Sequence, residues 1–177
     1  MKIAVIYESI YGNTALIAEA VADGLRGAGD VDVGPAGDQP TDVDLLVVGA
    51  PTHAHGLPTS VGRKALEKAA EVAEAKGEPL DYQPTPAVRG LLDRLPEVNG
   101  VAAACFDTRF EKSRILTGSA ARTMTKKLDR KGYRVIAEPE SFFVTETEGP
   151  LKDGEIERAR RWGGSIASLA TGSESRT

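Results

Sequence analysis

Residues 9–14 read Ser-Ile-Tyr-Gly-Asn-Thr and place two aliphatic hydroxyl side chains, a glycine and an asparagine in one short turn. Gly12 permits positive φ and close approach of a ligand, and Asn13 also tolerates the left-handed region. Thr14 stands where helical periodicity begins, so the free N–H groups of a helix N-terminus would face this turn. The pattern predicts a phosphate site built from N–H groups and hydroxyls. An alternative stays open, in which the same residues only cap the helix.

Two later segments carry polar side chains that can contact a ligand. Pro51–Pro58 holds His53 and His55, the only histidines of the chain. A His-x-His pair can bind a metal, but no cysteine or suitably placed carboxylate completes a ligand set, so no metal site is predicted. Ligand contact and simple filling of the loop stay open as alternatives for these histidines. The third segment, residues 107–116, begins with Asp-Thr-Arg.

Sequence motifs for several other chemistries are absent. There is no G-x-x-x-x-G-K-[ST] and no G-x-G-x-x-G, which argues against a P-loop nucleotidase and against a standard dinucleotide site. No catalytic triad or acid–base pair is evident. Cys105, the single cysteine, ends a strand-like run and is predicted to be a small core residue rather than a reactive thiol. If the protein is an enzyme, a bound cofactor must supply the chemistry.

Hydrophobic periodicity indicates the elements that hold these segments. Apolar runs typical of strands buried on both faces alternate with helical patterns along the chain. The predicted strands are residues 2–7, 30–33, 45–50, 100–106 and a last strand interrupted at Pro139, in pieces 134–136 and 141–144. The predicted helices are residues 14–28, 59–76, 88–95, 119–131 and 153–169.

The order of these elements predicts an α/β fold, a three-layer, doubly wound, five-stranded parallel sheet with helices on both faces. Ligands bind to such sheets beyond the C-terminal ends of the strands. The three polar segments leave those ends, so we expect them to meet at one edge of the sheet. The long connection 52–99 is broken by prolines, and whether it forms a lid or a dimer contact stays open.

Length and composition indicate the number of domains, the classes of partner and the location of the protein. The 177 residues suit one domain, predicted to span residues 1–169, followed by a disordered tail at 170–177. The net charge of −4 argues against a nucleic-acid partner. No apolar run approaches the ~20 residues of a membrane helix and no signal peptide is evident, so we expect no membrane partner and a cytoplasmic location. Both a monomer and a homodimer are compatible with the sequence.

The first turn resembles the phosphate-binding loop of flavodoxins, which carry FMN as a redox centre. The resemblance rests on Ser-Ile-Tyr-Gly-Asn-Thr at 9–14, after a buried strand and before Leu-Ile-Ala at 16–18. Residues 48–53 and 104–109 are similar to the second and third flavin loops. Residues 142–163 resemble flavodoxin-domain proteins common in high-GC bacteria. The resemblance covers nearly the whole chain and implies a flavodoxin-like sheet with strand order 2-1-3-4-5.

The resemblance also implies FMN as the cofactor and assigns residues to it. The phosphate would contact Ser9, Ile10, Tyr11, Gly12, Asn13 and Thr14. The second loop would contribute Pro51, Thr52, His53, Ala54, His55 and Gly56, and the third Phe106, Asp107, Thr108, Arg109 and Phe110. The chain departs from the family at Tyr11, where a small hydroxyl residue is usual, and in its second loop, which lacks Trp and Tyr. Because Arg109 and the histidines would favour an anionic reduced flavin, we expect no very low potential.

These observations favour an FMN-binding redox protein, either an electron carrier or a small flavin-dependent oxidoreductase. Its partner would be a redox protein or a small-molecule electron acceptor. One alternative is a non-redox binding or regulatory module on a flavodoxin fold that has lost FMN. Another is a dimeric quinone or nitro-compound reductase that uses NAD(P)H.

Overall fold

The computed structural model describes residues 1–38, 40–53, 56–78, 80–111 and 118–174, with side chains through residue 172. The strands are β1 (Lys2–Tyr7), β2 (Asp30–Pro35), β3 (Leu45–Pro51), β4 (Ala102–Phe110), β5 (Arg134–Val135) and β6 (Glu140–Val144). The helices are α1 (Asn13–Leu25), α2 (Ser60–Ala75), α3 (Val88–Arg94), α4 (Ala120–Arg130) and α5 (Glu155–Glu174). The predicted alternation of strands and helices is confirmed.

All strands of the sheet are parallel, in the order β2-β1-β3-β4-β5, and β6 also pairs with β4. β5 pairs with the start of β4, and β6 pairs with Phe106–Phe110 at its end. The last strand is therefore interrupted, as predicted from Pro139, because proline cannot donate to the ladder. The predicted flavodoxin-like fold and strand order are confirmed.

Successive residues of the central strands point into different core layers. On β1, Ile3 and Val5 face a layer formed with α1 and α5, whereas Ala4 and Ile6 face a layer formed with α3 and α4. β3 alternates in the same way. Burial on both faces explains why these strands read as continuous apolar runs. Cys105 is buried in the α3–α4 layer, and burial raises the pKa of its thiol to about 12, which agrees with the predicted core role.

Helix α5 differs from its predicted bounds at both ends. It begins at Glu155, two residues after the predicted N-cap Asp153. It also continues to Glu174, and Ala170 is buried, so the predicted boundary of a disordered tail at residue 170 is too early. Residues 175–177 lie outside the described residues. That residues 1–169 form one domain stays a prediction.

Helix α2 lies within the long connection whose structure the sequence left open. Its N-cap is Thr59, whose side chain accepts a hydrogen bond from the Gly62 N–H. None of its described residues is fully buried, and Val61 is 76% exposed. The helix therefore lies on the outside of the sheet layers, where its inner side borders the cleft described below. No helix in the described ranges is both long and apolar enough to cross a membrane.

Candidate functional site

An open cleft with a cavity volume of about 90 Å³ lies at the carboxyl edge of the sheet. Its walls come from the turn after β1, the ends of β3 and β4, helix α2 and the loop after β6. The lining residues are Ile10, Tyr11, Asn13, Thr14, Pro51, Thr52, His53, Leu66, Thr108, Arg109, Phe110, Val144 and Thr147. The cleft lies where parallel sheets bind ligands, beyond the carboxyl ends of the strands.

The turn at residues 9–14 ends in an uncapped helix. Gly12, the N-cap of α1, has φ +82°, and no side chain caps this helix. The N–H groups of residues 10–15 donate to no acceptor within the described part of the chain. Helices α2 and α4, by contrast, are capped by the side chains of Thr59 and Ser119. The first turn thus presents free donors and the positive end of a helix dipole, which is an anion site.

Two hydroxyl groups stand beside these N–H groups. The Ser9 hydroxyl is buried and has no partner among the described residues. The Thr14 hydroxyl lies 2.8 Å from that of Thr108 on β4, so one of the two donates to the other. A buried polar atom without a partner costs free energy, which favours a ligand that satisfies it.

A bracing segment, residues 80–87, supports the turn from behind. The Ser9 N–H donates to the Thr85 hydroxyl at 2.8 Å, and the Thr85 N–H donates to the Ser9 carbonyl at 2.9 Å. The Gln83 N–H donates to the Ile10 carbonyl at 2.8 Å. These bonds use the carbonyl groups of the turn and leave the N–H groups of residues 10–15 directed elsewhere. The bracing segment therefore fixes the turn in an anion-binding conformation.

Glu8 ties the bracing segment to helices α2 and α3. Its side chain is fully buried, forms an ion pair with Arg63 and accepts a hydrogen bond from the Val88 N–H at 3.0 Å. Arg63 also donates to the Thr85 carbonyl at 2.6 Å. Burial raises the pKa of Glu8, and the bonds from Val88 and Arg63 oppose that shift. Glu8 is thus a structural anchor directly before the turn.

The rest of the cleft wall carries positive and aromatic groups. His53 is held by paired backbone hydrogen bonds with Gly56, and its ring lies against Gly62 of α2. Arg109 is 6% exposed, and its guanidinium carbon lies 5.5 Å from the centre of the Phe143 ring. The Tyr11 ring makes an edge contact with Tyr82 at 6.3 Å between ring centres. Burial raises the pKa of Tyr11, with a smaller contribution from Glu148.

Phe106 and Asp107 were predicted to contact a flavin, but neither lines the cleft. Phe106 is fully buried, packs against Phe142 and Trp162, and its ring fills the space left by Gly49 on the neighbouring strand. Asp107 is also fully buried and turns toward α4.

The Asp107 carboxylate holds the start of α4. Its Oδ2 accepts hydrogen bonds from the Ser119 hydroxyl at 2.6 Å, the Ala121 N–H at 3.0 Å and the Thr52 hydroxyl at 3.0 Å. Asp107 therefore positions Thr52 and the start of the helix.

Most other predicted site residues do meet at the cleft. Residues 10, 11, 13 and 14 of the first turn line it, together with residues 51–53 and 108–110. Ser9 and Gly12 shape the turn without lining the cleft, and Gly56 closes the turn that holds His53. Ala54 and His55 lie outside the described residues, as does the part of the third segment at 112–117.

Leu66, Val144 and Thr147 also line the cleft, although they were not predicted from the sequence. Val144 and Thr147 follow the last strand, so the rule that ligands bind beyond the carboxyl ends of strands would have found them. Leu66 gave no such signal, because nothing local places α2 beside the cleft. Among the described residues, no three His, Cys, Asp or Glu side chains form a group that could hold a metal ion.

Comparisons with known proteins give a family match and similar folds. A family model described as flavodoxin matches residues 5–163. No curated protein gives a significant sequence match. Similar solved structures include "a flavodoxin from the domain Archaea" (20% identity, TM-score 0.64), which covers 97% of this chain and 99% of its own. Another is oxidised flavodoxin 1 from Bacillus cereus (19%, TM-score 0.63), covering 95% and 98%. A WrbA-like flavodoxin from Agrobacterium tumefaciens (17%, TM-score 0.57) covers 97% and 98%.

Proposed function

Because this chain belongs to the flavodoxin family, we propose that it binds FMN in the cleft and transfers electrons to or from a redox partner protein. Family membership supports a flavin-binding redox role in general. What we propose beyond that role is that the flavin is FMN and that the protein is an electron carrier. The alternative of a non-redox module is not favoured, because the turn keeps its anion-binding donors free.

The single observation that supports FMN best is the state of the first turn. The N–H groups of residues 10–15 have no acceptor in the described part of the chain, and the buried Ser9 hydroxyl has none there either. The cleft opens directly beside them. These features fit a phosphate monoester attached to a larger group. Riboflavin would leave the same donors unsatisfied.

The residues present would hold FMN without a basic side chain in the turn. The N–H groups of the turn and the hydroxyls of Ser9 and Thr14 would donate to the phosphate, while the bracing segment keeps the turn in shape. His53, Leu66 and Val144 would contact the rest of the molecule and exclude water. FMN, when bound, supplies one-electron and two-electron redox chemistry.

Arg109 should raise the reduction potential of a flavin bound in this cleft. It is a buried cation in the cleft wall, and a nearby positive charge favours the more negative, reduced form. We expect Arg109→Leu to lower the potential by roughly tens of millivolts. Spectroelectrochemical titration measures this. Arg94→Leu is the control, because Arg94 is bonded to the Gly37 carbonyl and lies outside the cleft. An unchanged potential in Arg109→Leu would remove Arg109 from the site.

The proposal is tested by comparing FMN with riboflavin in a binding titration of the purified protein. Since the turn would donate hydrogen bonds to the phosphate of FMN and riboflavin lacks that phosphate, we expect FMN to bind at least about a hundredfold more tightly, which corresponds to ~2.7 kcal/mol. The retained flavin spectrum after gel filtration gives a second readout. Equal affinities for the two flavins, or no binding of either by the folded protein, would refute the proposal.

A further inference from the structure

Helix α4 carries a stripe of exposed cations that we call the basic stripe, formed by Arg122, Lys126 and Arg130. The residues are spaced by four along the helix, so they share one face. At 1.5 Å per residue the stripe is about 12 Å long. It stands out because the chain as a whole has a net charge of −4.

The basic stripe is not used to stabilise the fold. None of its side chains forms an ion pair or hydrogen bond with the part of the chain that the structure describes. The neighbouring lysines differ, because Lys127 pairs with Asp93 at 2.6 Å and Lys131 donates to backbone carbonyls. One exposed carboxylate, Asp129, lies near the far end of the stripe. The positive charge of the stripe therefore remains available to a partner.

The basic stripe begins at the candidate cleft. The Ala120 N–H, two residues before Arg122, donates to the hydroxyl of the cleft residue Thr52 at 2.8 Å. The exposed residues Glu146 and Glu148 flank the cleft residue Thr147, and the Glu148 carbonyl accepts a hydrogen bond from Asn13 at the start of α1. Helices α1 and α4 pack in different core layers. The rim of the cleft is thus positive on the α4 side and negative on the α1 side.

We propose that the basic stripe docks the acidic surface of an electron-transfer protein and brings its redox centre to the cleft. This inference rests on the proposed function. An anionic membrane fits less well, because α4 has no large exposed apolar residue among those described. A nucleic acid fits less well, because the chain is acidic overall. An acidic protein matches both the length of the stripe and the polarity of the rim.

The test uses FMN-loaded protein and an acidic plant-type ferredoxin whose [2Fe–2S] cluster has been reduced. One electron leaves the cluster and reduces the flavin by one electron, which stopped-flow absorbance records. We expect the second-order rate constant to fall as ionic strength rises from about 10 mM to about 500 mM. Reversing the stripe with Arg122→Glu, Lys126→Glu and Arg130→Glu should lower the rate at least about tenfold at low ionic strength and leave it unchanged at high ionic strength.

The matched control reverses three exposed arginines, one directly after α1 and two on α5, and changes the net charge equally, by Arg26→Glu, Arg160→Glu and Arg161→Glu. Circular dichroism verifies the fold of both variants. An equal loss of rate in both variants would show an effect of net charge alone and overturn the inference. Equal rate constants for the wild type and the stripe variant at low ionic strength would also overturn the inference.

Failure of the proposed function is distinguishable from failure of the docking inference. A protein that takes up no flavin refutes the proposed function, and docking is then measured as binding of fluorescently labelled ferredoxin to the apoprotein at low ionic strength. Tighter binding by the wild type than by the stripe variant supports docking, and equal binding overturns it. If a 20-base-pair DNA or phosphatidylserine vesicles lose more affinity than ferredoxin does in the stripe variant, the assigned partner class is wrong.

Discussion

Ser9 and Ser119 carry the same side chain in opposite hydrogen-bonding states. The Ser9 hydroxyl is buried without a partner among the described residues, whereas the Ser119 hydroxyl donates to Asp107 and accepts from the Arg122 N–H. Ser9→Ala should therefore leave the free energy of unfolding of the apoprotein nearly unchanged and weaken FMN binding by about 1.5–3 kcal/mol. Ser119→Ala should lower the free energy of unfolding by about 1–2 kcal/mol and spare FMN affinity. Urea unfolding and flavin titration of both variants measure this; a stability loss in Ser9→Ala would show that its hydroxyl already has a structural role.

The contacts of individual side chains were the features that the sequence predicted least well. Residue types and spacing predicted an anion-binding turn at residues 9–14, because serine, glycine, asparagine and threonine between a strand and a helix can present free N–H and hydroxyl groups. They could not assign Phe106 and Asp107, since the space left by Gly49 and the position of α4 decide where these side chains point. Both factors are tertiary. The Glu8–Arg63 pair was missed for the same reason, as 55 residues separate its members.

At the scale of elements, helices α1 and α5 approach each other through glycines. A Cβ on Gly163 would lie 2.3 Å from the Val21 carbonyl oxygen, whereas a Cβ on Gly172 of the same helix would meet nothing within 4 Å. Gly163→Ala should therefore lower the free energy of unfolding by about 1–3 kcal/mol through overpacking. Gly172→Ala should leave it unchanged or raise it by up to about 1 kcal/mol, because alanine favours helix. The midpoints of denaturant unfolding of the two variants measure this difference. An unchanged free energy of unfolding in Gly163→Ala would mean that the two helices can move apart freely.

The Glu8 anchor between the first turn, α2 and α3 should give stability an unusual pH dependence. Burial raises the pKa of Glu8 in the folded state above its usual value of 4.5. A raised pKa means that its contribution to stability is fully present below the unfolded pKa and is lost as pH rises through the folded pKa. Glu8→Gln abolishes this titration. The free energy of unfolding of wild type relative to Glu8→Gln should thus decrease as pH rises above about 4.5.

Urea unfolding of both proteins between about pH 4 and pH 8 measures this difference. An Asp23→Asn variant, whose carboxylate is half exposed, controls for general effects of removing a charge. If wild type instead gains stability over Glu8→Gln with rising pH, the bonds from Arg63 and Val88 outweigh the cost of burial. The anchor would then be a net stabilising ion pair.

At the scale of the whole molecule, the sequence predicted the architecture well. Continuous apolar strands such as β1 and β3 require cover on both faces, and their alternation with helices leaves few possible topologies. The chain between β3 and β4 was the exception. Helix α2 has no fully buried residue among those described, so its hydrophobic pattern does not indicate which elements it contacts. Its position beside the cleft is set by the ion pair between Arg63 and Glu8, which is distant in sequence.

If FMN binds in the cleft as proposed, it should stabilise the molecule as one unit. The cleft joins distant parts of the chain, since Thr14 meets Thr108 and Asn13 holds the Glu148 carbonyl. A ligand there contacts elements that contribute to both core layers, so it should shift global unfolding. FMN at a hundred times its dissociation constant adds about 2.7 kcal/mol, which raises Tm by roughly 5–10 °C for a chain of this length.

Trp162, the only tryptophan, packs on Phe106 and Phe142 and does not line the cleft. Its fluorescence therefore reports core unfolding independently of flavin fluorescence, which reports release. We expect the two thermal transitions to coincide at every FMN concentration and to rise together. Flavin release well below the Trp162 transition would show that the turn and the bracing segment open locally. The residues around the cleft would then be mobile while the sheet stays folded. The hydrogen bonds from Thr85 and Gln83 would be too weak to make opening of the turn depend on unfolding of the core.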